Sequence, residues 1–256
     1  MGLLLASELS SLGHDVSGYD PSPDAARRAA SSGIKVVEGP EPWRYDAVLA
    51  AVPLERSAEV AREVYPRIRG DGAYVDVSTL KSEVNGVLRS LGGGAAKVSV
   101  HPLFGRGARG LAGRPVALTP VEDVDRELAV ARELFRGADL IVMDEARHDE
   151  AVPYSILLPP VLGYLFAYAS SSAPSIPSTS RRLQELAAAV ELDEPELTAQ
   201  LILRSPASRE VLRRLEEGLR GLMASSDPAQ LLRSVADGWR GREELYEMAY
   251  RALGSL

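Results

Sequence analysis

The chain of 256 residues contains no cysteine. Disulfides, thiolate metal sites and a cysteine nucleophile are therefore excluded. Lysine is nearly absent as well: Lys35, Lys81 and Lys97 are the whole set, and arginine supplies almost all of the positive charge. Histidine is confined to His14, His101 and His148, so imidazole chemistry has three candidate positions. The net charge is −7 and no basic stripe interrupts it, which argues against a nucleic-acid partner. Neither a secretory signal nor an apolar run of roughly 18 residues is read, so the expectation is a cytoplasmic protein with no membrane partner. No metal is called for.

What is present suffices for a packed core. Hydrophobic residues make up 45% of the chain, the usual share for a globular protein, and the length suits two domains. The halves differ in pattern. The first alternates short apolar runs with helical patterns; after about Asp144 strand signals all but vanish. The expected domains are residues 1–144 and 145–256.

Short strand patterns are read at residues 15–19, 34–37, 47–52, 73–77, 96–100, 114–118 and 139–143. Helical patterns lie between them at residues 1–12, 21–32, 54–65, 83–91 and 124–135. The run at 47–52 is continuously apolar, the mark of a strand buried on both faces. This alternation predicts a doubly wound, Rossmann-like α/β sheet, mostly parallel, with right-handed crossovers. The second half reads as all-α. A long helix over 144–168 is expected to break or kink at Pro153 and at Pro159-Pro160. A Ser/Pro-rich loop over 170–180 follows, then helices at 181–192, 195–203, 208–224 and 228–253. Leu212, Leu215, Leu219 and Leu222, widened by Val211, form one apolar stripe and predict a core face.

His101 directly follows Ala96-Lys97-Val98-Ser99-Val100, which reads as a buried strand, with Pro102 and Gly105 close behind. A histidine there stands at the mouth of a sheet, where open α/β folds bind ligands. The plain alternative is a structural, hydrogen-bonding histidine. The N-terminal stretch points to a nucleotide. A helix, Gly13-His14, a strand and then Asp20 make the second half of a dinucleotide-binding βαβ unit, with Asp20 placed to accept from a ribose 2′-hydroxyl. Gly2 then takes the place of the third glycine of G-x-G-x-x-G, the one that lets helix and strand pack closely. The expectation is that the first strand and the first two glycines are missing, through truncation or a start codon further upstream. In the alternative, Gly2 is an ordinary terminal glycine and Asp20 a helix cap before Pro21.

A set of motifs runs in order along the chain. Met1-Gly2-Leu3-Leu4-Leu5-Ala6, Gly13-His14-Asp15-Val16 and Gly18-Tyr19-Asp20 come first, then Ala51-Val52-Pro53. Asp76-Val77-Ser78-Thr79-Leu80-Lys81 is similar to D-x-x-S-V-K, and His101-Pro102-Leu103-Phe104-Gly105 to H-P-M-F-G; His148-Asp149 closes the series. Together they resemble the prephenate dehydrogenase family of tyrosine biosynthesis, its archaeal members above all. The likeness covers residues 1–155 well and 156–256 more loosely. In the latter, Asp193-Glu194-Pro195-Glu196-Leu197 and Ser205-Pro206-Ala207-Ser208-Arg209-Glu210 look like the family's later helices.

The resemblance implies NAD-dependent oxidative decarboxylation of prephenate to 4-hydroxyphenylpyruvate. It implies that His101, as a neutral imidazole, accepts the proton of the substrate 4-hydroxyl. It implies that Thr79 hydrogen-bonds the histidine and the substrate; a turn or capping role is the alternative for Thr79. Cofactor contacts are implied for Gly2, Asp20, Val52, Pro53 and Ser78, and a homodimer through the helical domain. Lys81 is a candidate for the substrate, or else a surface lysine. The substrate carboxylates need a cation. Arg106 and Arg109 in the glycine-rich loop are candidates, as are Arg181 and Arg182; the alternatives are a surface loop and a solvated basic pair. Departures are clear too. The family's S-H-L-P-H segment reads Ile156-Leu157-Leu158-Pro159-Pro160 here, and its carboxylate-binding arginine falls on Ala189. Arogenate is the alternative substrate, and a non-catalytic binding or regulatory homologue is the alternative class.

Overall fold

The computed structural model describes residues 1–105, 107–171, 178–192, 195–239, 241, 243–245, 247–248 and 251. The chain divides into two units, Met1–Glu150 and Ala151–Leu256.

In the first unit α1 (Gly2–Ser11) leads to β1 (Ser17–Gly18), α2 (Pro23–Ser31), β2 (Lys35–Val36) and β3 (Ala47–Ala50). Then come α3 (Ser57–Val64), β4 (Ala73–Asp76), α4 (Ser82–Ser90), β5 (Ala96–Pro102), β6 (Pro115–Leu118), α5 (Val124–Leu134) and β7 (Asp139–Val142). Strands β3 to β7 form one five-stranded sheet in chain order. Its neighbours are parallel except for β5 and β6, which run antiparallel. A parallel connection needs a long crossover, usually a helix. Among the described residues of the glycine-rich segment between β5 and β6 there is no helix to carry one.

β5 is the central strand and is buried along its whole length, as is its neighbour β4. Tyr74 and Val75, adjacent on β4, go to opposite faces. Val75 joins Leu5, Leu9, Val98, Val100, Leu118 and Phe135 in one core. Tyr74 joins Ala61, Val64, Tyr65, Val84 and Leu88 in the other.

One expectation is corrected. β1 and β2 do not extend the main sheet; they pair with each other, in parallel, as a separate two-stranded ribbon. Among the described residues no strand stands between β1 and β3 to join the two sheets. The ribbon is instead attached by packing: Val16, next to β1, lies against the same core as Leu5 and Leu9 of α1.

The remaining helices are α6 (Glu145–Val152), a π-helical turn (Pro153–Leu157), α7 (Leu158–Ser170), α8 (Thr179–Glu191), α9 (Pro195–Arg204), α10 (Pro206–Ala224) and α11 (Pro228–Gly238). Pro153 lacks the N–H that an α-helix would need there, and the ladder widens into the π turn at that residue. Pro159 and Pro160 do not break the helix; they lie in the first turn of α7, where a missing N–H costs nothing. α11 ends at Gly238 rather than running on to 253. Of the loop expected at 170–180, residues 172–177 lie outside the described residues. The core stripe expected on α10 is met in part: Val211 is buried and Leu212, Leu215 and Leu222 are half-buried, but Leu219 is 49% exposed. The helix over Glu145–Ser170 also contains an 18-residue window of mean hydropathy 1.4, long and apolar enough by length and composition to cross a membrane.

Candidate active site

β4 ends at Asp76, and the turn that follows is organised by that carboxylate. Asp76 Oδ2 accepts from Ser78 N at 3.1 Å, from Ser78 Oγ at 2.6 Å and from Lys81 Nζ at 2.7 Å. Both charged side chains of this ion pair are wholly buried. Burial pulls the Lys81 ammonium down from its usual pKa, and the Asp76 carboxylate opposes that pull. Removing one partner of such a buried pair costs roughly 3–5 kcal/mol. The Lys81 ammonium also donates to the carbonyl of Val100, which ties the turn to β5 one residue before His101.

His101 lies near the end of β5, opposite Ala117 of β6, and is 5% exposed. Its Nδ1 is 3.0 Å from Nε2 of His148, and the rings meet edge to face. His148 Nδ1 in turn is 2.9 Å from Asp149 Oδ1. The Asp149 carboxylate does a second job. It accepts from the main-chain N–H groups of Lys81 and Ser82 at 2.9 Å each, and from Ser82 Oγ at 2.6 Å. These are open donors at the start of α4, whose N-cap Lys81 provides no side-chain cap. A residue far along the chain thus caps α4 and orients His148 at once.

The protonation states follow from this chain of contacts. Burial raises the Asp149 carboxyl, yet the hydrogen bonds from His148 and Ser82 outweigh it and hold it below the usual carboxylate range. An ionised carboxylate only accepts. His148 must therefore carry a proton on Nδ1, and in its neutral form it presents a lone pair on Nε2. His101 must then donate from Nδ1, which leaves its Nε2 as an acceptor. Burial, then the Lys81 ammonium and His148, hold His101 well below the ordinary imidazole pKa, so it is neutral. The arrangement yields an oriented base with one free lone pair, the logic of a catalytic triad with two imidazoles in series.

The structure sorts the residues named from sequence. His101 is at the centre, but its partner is His148 and not Thr79; Thr79 is half-buried on the turn, with no hydrogen bond to His101 among the described residues. Ser78 and Lys81 face inward. The Ser78 hydroxyl lies against Asp76 and the Leu80 carbonyl, and the Lys81 side chain is fully buried on Asp76 and Val100, so neither side chain is presented to a ligand. Arg109 is exposed on the loop after β5, while Arg106 lies outside the described residues. In the second unit, Arg181 pairs with Glu185 along α8 at 2.8 Å and Arg182 is exposed. His148 and Asp149 were missed as site residues. Their only signal was the His-Asp pair itself.

The first unit also carries groups that suit a dinucleotide. A Cβ built on Gly2 would lie 3.3 Å from Ala51 Cβ, so a close approach of α1 to the loop after β3 depends on glycine. α1 has no side-chain cap, which leaves its first N–H groups open to an anion. Asp20 is exposed just past β1, and its Oδ1 accepts from Ser22 N at 2.8 Å, which fixes the carboxylate. The cap of α2 is Ser22 and not Asp20. Val52 is half-buried and Pro53 exposed in the loop after β3. These residues fit a nucleotide with its ribose at Asp20.

Comparison with known proteins gives the family and the fold. The sequence profile described as "Prephenate dehydrogenase, nucleotide-binding domain" matches residues 5–143. A 4-amino-4-deoxyprephenate dehydrogenase from Streptomyces pristinaespiralis is 32% identical over 133 residues, which is 51% of this chain and 40% of that protein. The chain thus spans about 40% of the length of the curated relative it matches. Among solved structures, prephenate dehydrogenase from Aquifex aeolicus in complex with hydroxyphenyl propionate and NAD+ superposes with a TM-score of 0.72 at 19% identity, covering 100% of this chain and 95% of that one. Synechocystis arogenate dehydrogenase gives 0.69 at 19% identity, with 96% of each chain covered. These last two are likenesses of fold. The chain belongs to the prephenate dehydrogenase family, and the matched residues are its nucleotide-binding domain.

Proposed function

We propose that the protein is an NAD-dependent dehydrogenase that oxidatively decarboxylates prephenate. The observation that carries this reading is the neutral, oriented imidazole of His101 at the end of the central strand. Oxidising the ring carbon that bears the 4-hydroxyl requires the hydroxyl proton to leave as the C–O bond becomes a carbonyl. His101 Nε2 accepts that proton. The charge that appears on the imidazole is stabilised through Nδ1–H, His148 and ionised Asp149. Loss of carbon dioxide then aromatises the ring and asks little more of the protein. Bound NAD supplies the hydride acceptor. Asp20 holds a ribose hydroxyl, the N-terminal turn of α1 faces the pyrophosphate, and Val52 and Pro53 line the path between. Arg109 is the candidate for a substrate carboxylate in this unit.

A second reading concerns the substrate. The 32% identical relative is named for 4-amino-4-deoxyprephenate. A neutral imidazole accepts from a ring amine as well as from a hydroxyl, so that compound belongs in the assay beside prephenate and arogenate. The test is NADH formation by the full chain with each of the three, together with calorimetric titration of NAD. NADH with prephenate supports the proposal, and NADH only with another substrate reassigns the specificity. Failure to bind NAD and to turn over any of them overturns the enzyme reading in favour of a non-catalytic homologue.

We also propose that the protein is a cytoplasmic homodimer associated through its helical unit. Leu203, Met223, Leu232 and Val235 are all more than half exposed there, a density of apolar surface that monomers rarely leave open.

A further inference from the structure

We propose that Lys81 is a positioning residue of this site, which fixes both ends of the chain formed by His101, His148 and Asp149. Its ammonium holds the carbonyl of Val100, the residue before His101, and is anchored on Asp76 Oδ2 at 2.7 Å. Its main-chain N–H holds Asp149 Oδ1 at 2.9 Å, and Asp149 orients His148. The side chain is wholly buried and ion-paired, so it has no freedom to let the turn drift. A shift of the turn by a fraction of an ångström moves the base and its orienting carboxylate together.

The same cation acts on His101 through space. The groups that act on that imidazole are Lys81 from the turn after β4, and His148 and Asp149 from α6. Lys81 and His148 oppose its protonation and Asp149 favours it, with burial the largest influence. Lys81 thus keeps the base both in place and unprotonated. Its effect on turnover rests on the dehydrogenase reading; its effect on the imidazole does not.

The experiment reads the histidines directly. With three histidines in the chain, imidazole nitrogen resonances are assignable and can be followed against pH. In Lys81→Met the His101 midpoint moves upward, because a repelling cation is gone. If Lys81→Met alone leaves too little folded protein, the doubly neutral variant Lys81→Met/Asp76→Asn carries the same test without a stranded buried charge. In the wild-type protein the Lys81 ammonium resonance, one of three lysines, shows an inflection at the pH where His101 titrates. In turnover, kcat falls by up to about 10²-fold, the scale of a misplaced catalytic group, with KM unchanged and the acid limb of kcat/KM moved to higher pH. An unmoved His101 midpoint in a folded variant overturns the proposal, and so does a Lys81 resonance blind to His101. A moved midpoint in a protein whose wild type forms no NADH upholds the role of Lys81 and overturns the dehydrogenase reading.

Discussion

His101 Nδ1 and His148 Nε2 stand 3.0 Å apart, and this one contact decides which nitrogen of His101 is free. The base cannot be understood without the residue behind it. Replacing the base is the most direct check. His101→Asn keeps a polar side chain of similar reach but supplies no basic nitrogen. The expected fall in kcat is roughly 10²-fold or more, the usual loss for a general acid–base residue. Steady-state kinetics measure it, and near-wild-type turnover removes His101 from the mechanism.

Asp149→Asn tests the tautomer argument. The amide can donate to His148 Nδ1, which turns His148 around and makes its Nε2 the donor. His101 Nδ1 must then accept, and its Nε2 carries the proton where the lone pair is needed. The expected loss in kcat is about 10²- to 10⁴-fold, bounded above by the effect of the same change in a serine protease triad. The folded structure should survive, because the amide oxygen still accepts from the N–H groups that start α4. Circular dichroism checks the fold, and histidine nitrogen shifts check the exchanged tautomers.

Stability should depend on pH in a definite direction. His101 is held well below 6.5 by burial, Lys81 and His148, so the unfolded chain binds a proton near pH 6.5 that the folded chain refuses. Stability therefore falls as pH drops below 6.5, until the folded imidazole itself protonates. Asp149 adds to the trend lower down. Its folded pKa is depressed, so its contribution is full above 3.8 and is lost as pH falls through the folded value. Each proton contributes at most about 1.4 kcal/mol per pH unit. Urea midpoints taken between about pH 8 and pH 5 should decline in the wild type and flatten in His101→Asn.

The apolar surface of the helical unit gives a fourth prediction. Leu232 and Val235 are 57% and 66% exposed on α11, one helical turn apart. Leu232→Glu/Val235→Glu should leave the helix content intact and convert the dimer to a monomer in sedimentation equilibrium. A wild-type protein that is monomeric at micromolar concentration overturns the dimer proposal.

Much of this fold was legible in the sequence, for a physical reason. The continuously apolar run of β3 announced a strand, although the structure leaves Ala47, Val48 and Leu49 half-buried rather than covered on both faces; β5 was legible from its alternating valines even though it buries Lys97, Ser99 and His101. Helix caps and prolines marked most helix ends. Pairing between distant strands leaves no such local trace, which is why the separation of β1 and β2 from the main sheet was not legible. The site divides in the same way. His101 stood out by its place after a strand. Lys81 reads from its motif as a candidate for the substrate or else as a surface lysine, and neither reading shows that it is buried on Asp76, five residues earlier, since lysine is so seldom buried. His148 could not be read as a partner of His101, since nothing in a helical pattern says which strand end it meets. Leu219 was legible as apolar but not as exposed, because one chain does not show what covers its own surface.

The division between the ribbon of β1 and β2 and the main sheet has a mechanical consequence. Asp20 belongs to one hydrogen-bonded assembly and His101 to the other, and the packing of Val16 against the core of α1 helps to hold the two in step. Backbone amides of the ribbon should then exchange with solvent well before those of β4 and β5, since they can open without the main sheet. On the proposed function, a dinucleotide gripped at one end by Asp20 and presented at the other to His101 would act as a strut across that joint. Saturating NAD should slow exchange at Gly18 and Val37 far more than at Val98, and ligand and scaffold would then share the work of setting the distance over which hydride must move.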